Sequence, residues 1–109
     1  MERPDIYFSA DTDLSEYESV NKGYRIDVYV NISEMVFNLR VYTLIRLQQD
    51  FESEWVSYGY YIAEPNLVLV REANKEEIVN TVNELYRQNY FSNIKSTDTV
   101  DVSKLVKIQ

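Results

Sequence analysis

The stretch Asp50-Phe51-Glu52-Ser53-Glu54-Trp55-Val56-Ser57-Tyr58-Gly59-Tyr60-Tyr61 spaces carboxylates at every second position and follows them with aromatic rings. Acids draw in cationic partners, and tyrosine and tryptophan rings give large contact area at low entropic cost. On an inhibitor of a nuclease, such carboxylates can occupy phosphate subsites while the tyrosines pack and hydrogen-bond around them. The alternative is that Trp55 and half of these tyrosines are core aromatics of a sheet. A second acidic stretch, Asp11-Thr12-Asp13-Leu14-Ser15, opens like a calcium loop, with oxygen ligands at its first, third and fifth positions. The glycine needed at the sixth position is Glu16 and the acid needed at the twelfth is Lys22, so the match fails. Asp11, Asp13, Glu16 and Glu18 then read as acids of an exposed loop, either free to meet a partner or merely solvated.

Much other chemistry is excluded by residue type. The chain has no histidine and no cysteine, which removes the usual neutral-pH general base, thiol catalysis, zinc fingers and disulfides. Gly23 and Gly59 stand alone, so no phosphate-cradling glycine loop exists, and there is no Gly-x-Ser-x-Gly elbow. Carboxylate pairs of the glycosidase or metal-dependent kind are allowed by composition, but nothing brackets such a pair on a recognisable frame. The expectation is a non-enzyme with no catalytic residue, no metal and no cofactor.

With 18 acids against 11 bases the net charge is -7. Acids dominate the first twenty-odd residues, and the segment from Leu47 to Val70 carries Asp50, Glu52, Glu54 and Glu64 with no base. The C-terminal end, with Lys95, Lys104 and Lys107 against Asp98 and Asp101, is slightly positive. Such a field repels phosphate, so neither direct nucleic-acid binding nor an anionic membrane is expected. A basic protein is the partner it would steer in, although acidity also serves plain solubility.

The elements that must position these residues follow from periodicity. At 109 residues the chain is expected to form one domain, 1–109, with enough apolar content for its own core. Its longest aliphatic run, Leu67 to Val70, is far below the ~20 residues of a membrane span. The N-terminus lacks a charged-then-apolar export pattern, which makes the cytoplasm the default compartment. Lys22 to Ile32 alternates, with Tyr24, Ile26, Val28, Val30 and Ile32 on one face. Met35 to Leu47 alternates next, and Ser33-Glu34 is short enough to close a hairpin. Asp5 to Ala10 could add a short strand, Asp11 to Asn21 reads as an acidic loop with room for one helical turn, and Trp55 to Ala63 reads as another strand. Leu67 to Val70 is apolar on both faces, as in a covered or central strand. Asn74 with Glu77 resembles a capping box. Ile78, Val79, Val82, Leu85 and Tyr86 then recur at helical spacing. The end, from Val100, could dock as a strand or a short helix. The fold class expected is α+β: an antiparallel sheet of four to five strands with one long helix, about 75–89, packed on one face.

The long alternating strands, then Leu67-Val68-Leu69-Val70-Arg71 running into Asn74-Lys75-Glu76-Glu77-Ile78, resemble bacterial immunity proteins of polymorphic toxin systems. The resemblance is to the immunity-protein-8 type and covers roughly Tyr24 to Tyr90. It is one of pattern and order, and it carries over no functional residue position by position. It implies a protein that binds a cognate toxin domain, often a nuclease, and blocks its active site. Asp11, Asp13, Glu16, Glu18, Asp50, Glu52, Glu54, Tyr58 and Tyr60 are the expected contact set. The alternative is a phage or mobile-element protein that inhibits a nucleic-acid-handling protein by charge mimicry. A further reading is a subunit that self-associates through an exposed strand edge.

Overall fold

The alternation between Tyr24 and Thr43 folds into the central hairpin of a five-stranded sheet. The computed structural model describes residues 3–63, 65–97 and 100–109. Glu2, Glu64 and Asp98 lie outside the described residues. In chain order the elements are β1 (Asp5–Phe8), α1 (Asp13–Lys22), β2 (Tyr24–Ile32), β3 (Met35–Thr43), α2 (Leu44–Tyr58), β4 (Leu67–Val70), α3 (Lys75–Arg87) and β5 (Val106–Lys107). Short 3-10 turns occupy Tyr90–Asn93 and Val102–Lys104, so the C-terminal end supplies both a helical turn and a last strand.

The sheet order is β4-β3-β2-β1-β5. Its pairs are antiparallel except β3–β4, which is parallel. The expectation of a purely antiparallel sheet is corrected to a mixed one, and the reason lies in α2. Parallel neighbours need a crossover, and Leu44–Tyr58 supplies it as a helix where the alternation had suggested a strand continuing to Leu47 and another from Trp55. The expected acidic loop from Asp11 is likewise a helix, α1. Among the described residues the single long helix thus becomes three. The expected one is present as α3, ending at Arg87, but its 13 residues are fewer than the 15 of α2. Among the described residues no helix is long and apolar enough to cross a membrane.

One face of the sheet carries the core. Ile6, Phe8, Val28, Val30, Phe37, Leu39 and Val41 pack against Ile78 and Val82 of α3 and against Phe91. Each such side chain contributes about 1.5–3 kcal/mol by leaving water. The expected inward face of β2 is broken by a bulge between Arg25 and Val28. Ile26 is exposed and Arg25 is buried in its stead, because the extra residue reverses the parity of everything before it. Tyr24 therefore lies on the other face of the sheet from Val28, stacked on its cross-strand neighbour Tyr42 at 5.5 Å.

The hairpin closes through Ser33 and Glu34, both at positive φ (50° and 70°). Two left-handed residues make a type I′ turn, the geometry that matches strand twist but favours Asn-Gly. A left-handed Glu costs about 1–2 kcal/mol. Ser33→Asn with Glu34→Gly should therefore stabilise the chain by about 1 kcal/mol, raising Tm by about 4 °C. A thermal melt checks it, and an unchanged or lowered Tm would argue against this turn.

Candidate functional site

Helix α2 is framed by its ends. Thr43 Oγ1 accepts the Arg46 N–H at 3.3 Å, and Gly59, at φ 77°, closes the last turn with its N–H on Trp55 O at 2.8 Å. No residue of α2 is buried, and every residue from 51 to 60 is exposed. Apolar side chains are left uncovered as a result: Trp55 is 56% exposed and Val56 86%. Trp55 is thus a surface aromatic and not a core one. Phe51 stacks on Trp55 at 5.9 Å, and Tyr61 returns to meet the Phe51 ring edge-on at 6.2 Å.

That return closes a hollow of about 480 Å³ lined by Tyr42, Asp50, Ser53, Glu54, Tyr58, Tyr60, Tyr61 and Ile62. Asp50, Glu54 and Tyr58 line it together because they are spaced four apart on a helix. Glu52, two residues from either acid, projects about 200° away. It lines a second, apolar hollow of about 450 Å³ with Leu47, Gln48, Phe51, Tyr61 and Ala63. A strand would have set all three acids on one face; the helix separates them.

The carboxylates are not equivalent. Asp50 Oδ1 accepts Arg46 Nε at 3.1 Å, and the Arg46 guanidinium lies 4.7 Å from the Tyr24 ring centre. Glu52 and Glu54 form no ion pair among the described residues. Their negative charge faces solvent without compensation.

The remaining expected acids lie on or beside α1, and two of them hold the fold together. Both carboxylate oxygens of Glu16 accept the backbone N–H of Lys75, at 3.0 and 3.1 Å, at the start of α3. An acid there satisfies an orphan donor and complements the helix dipole. Asp11 pairs with Lys75 Nζ at 3.0 Å, and Ser19 donates to Ala73 O. Glu18 pairs with Lys22 at 3.5 Å, while Asp13, the first residue of α1, is exposed. The calcium-like spelling is a helix start: Thr12 and Ser15 cap each other reciprocally, at 3.0 and 2.9 Å. Among the described residues no three acids gather closely enough to hold a metal ion.

Tyr42, Ser53, Tyr61 and Ile62 belong to the hollow and were missed from sequence. Their signal was the four-residue spacing of Asp50, Glu54 and Tyr58 inside the span from Thr43 to Gly59. Compared with protein families, with curated proteins and with solved structures, the chain matches none.

Proposed function

We propose that this chain is an immunity protein of the kind the sequence pattern resembles. It would bind a basic toxin domain, a nuclease, and cover its active site with the surface of α2. The observation that carries the reading is the hollow itself. Glu54, without an ion pair among the described residues, sits beside Asp50 in a ring of tyrosines, on a helix whose apolar side chains are uncovered. Burying a few of those side chains, at about 1.5–3 kcal/mol each, supplies affinity, and the acids supply steering. With Asp11 and Glu16 engaged by Lys75, the contact surface centres on Asp50, Glu52, Glu54, Tyr58 and Tyr60. The α1 acids act at longer range.

Co-expression with the toxin domain encoded by the neighbouring gene tests the reading, scored by bacterial survival and co-purification. Glu54→Lys should weaken the complex by about 2 kcal/mol, roughly thirtyfold, chiefly through dissociation. Glu52→Lys, on the neighbouring hollow, should cost less. Association should slow steeply as salt rises. A harmless neighbour, or a toxic one that this chain neither binds nor rescues, would favour mimicry of polyanion charge instead. A toxin bound equally well by Glu54→Lys would place the contact surface elsewhere than on α2.

A further inference from the structure

We propose that the hollow over α2 is a guanidinium site that receives one arginine side chain of the partner. This deepens the reading above and rests on it for the protein that carries the arginine, but not for the chemistry of the hollow. Its walls combine Asp50 and Glu54 with the rings of Tyr42, Tyr58, Tyr60 and Tyr61, and its volume of about 480 Å³ falls within the range of ligand sites. Carboxylates reject anions, and aromatic faces attract cations through the ring quadrupole. The Tyr58 and Tyr60 rings lie 6.3 Å apart at 45° and are not stacked flat on each other.

The molecule uses the same chemistry internally, twice. Arg46 lies over Tyr24 at 4.7 Å and pairs with Asp50 at 3.1 Å. Arg25 lies over Phe8 at 3.8 Å and pairs with Asp27 at 2.8 Å. Each time a planar guanidinium is held between an aromatic ring and a carboxylate. Asp50 belongs to the first of these pairs and also to the wall of the hollow, where Glu54 offers a second carboxylate one turn further on. A second arginine would continue the row Tyr24–Arg46–Asp50. Arginine fits better than lysine because it is planar, weakly hydrated and able to stack while it forms paired hydrogen bonds.

The test is an amide-resolved NMR titration of the full chain with N-acetyl-arginine methylamide. The matching citrulline compound (isosteric and neutral) and the matching lysine compound are the controls. The arginine probe should give saturating shifts at Glu54 and Tyr58 to Tyr61 with Kd in the millimolar range, as suits a single side chain. Citrulline should bind about tenfold more weakly and lysine about threefold. Glu54→Gln and Tyr60→Leu, both at exposed positions, should each weaken the arginine probe about fivefold with an otherwise unchanged spectrum. Absence of saturable shifts, or equal binding of citrulline or lysine, overturns the site. If the arginine probe binds but no toxin does, the site stands and the immunity reading falls. If a toxin binds undiminished by both variants and the probe does not bind, the site falls, and the immunity reading stands only with its contact surface moved away from the hollow.

Discussion

Replacing Arg25 with methionine is expected to destabilise the chain by about 2–3 kcal/mol at neutral pH, at the lower end for a broken buried ion pair. Arg25 is 6% exposed and is held from several sides. Its Nε and Nη2 donate to Asp27 at 2.8 and 3.2 Å, Nη2 also donates to Ala10 O, and the guanidinium covers the Phe8 ring. Methionine keeps the apolar stem but strips Asp27 of its counter-ion, leaving it the Ser9 hydrogen bonds alone, and removes the guanidinium donor from the Ala10 carbonyl. Asp27 retains some access to water, at 24% side-chain exposure, which moderates the penalty.

The pH dependence separates this account from simple loss of packing. Burial pushes the Asp27 carboxyl up, but the Ser9 hydroxyl, the Arg25 guanidinium and the Ser9 N–H together outweigh it and hold it below the usual carboxylate range. A carboxylate with a depressed folded pKa contributes stability that is present above its unfolded pKa, about 4. That stability is lost as pH falls through the folded value. In Arg25→Met, burial is opposed by Ser9 alone, so this contribution shrinks. The stability gap between wild type and variant should therefore be full at pH 7 and narrow clearly by pH 3, measured by urea unfolding. A gap that is constant with pH would mean that packing, not the ion pair, carries the effect. Replacing both partners, Arg25→Met with Asp27→Leu, should recover part of the loss.

How much was legible follows from which period each segment obeys. The hairpin of β2 and β3 was readable because Val28 to Ile32 and Met35 to Val41 alternate without interruption. The apolar stripe of α3 was readable because Asn74 and Glu77 announce its start. The bulge at Arg25 was not, since alternation through Tyr24, Ile26 and Val28 is unbroken on paper. It is the Ser9, Ala10 and Phe8 environment, supplied by a strand some fifteen residues earlier, that draws the guanidinium inward. Two helices were missed for one reason. Each begins at a threonine cap, Thr12 or Thr43, and stops at one of the chain's two glycines, Gly23 or Gly59. Ile45 and Leu47 extend the period of β3 and also fit a helix, so periodicity alone could not place the boundary at Thr43. That one misreading hid both the parallel pairing of β4 and the face shared by Asp50, Glu54 and Tyr58.

The two glycines also give the second large prediction, because they share a backbone conformation and differ in what surrounds them. Gly23 has φ 76° and Gly59 φ 77°, so alanine at either pays the left-handed penalty, about 1 kcal/mol. A Cβ on Gly59 meets nothing within 4 Å, whereas one on Gly23 lies 2.8 Å from Thr43 Oγ1 and 3.1 Å from Arg46 Cβ. Gly23 O also accepts the Thr43 N–H at 2.8 Å. The end of α1 therefore rests directly on the cap of α2, and the clash must displace either the cap or the side chain that pairs with Asp50. Gly59→Ala should cost about 1 kcal/mol, and Gly23→Ala about 3 kcal/mol, the excess being the lost cap together with local overpacking. Chemical denaturation of both variants gives the comparison. Equal losses would mean that α1 and α2 do not meet closely in solution. If the excess is found, a restrained α2 follows: its outer surface is free of the core, while its first turn is fixed by Gly23, Thr43 and the Tyr24–Arg46–Asp50 row. A helix held in that way can present uncovered aromatics at a defined angle without help from the packing that usually orients one.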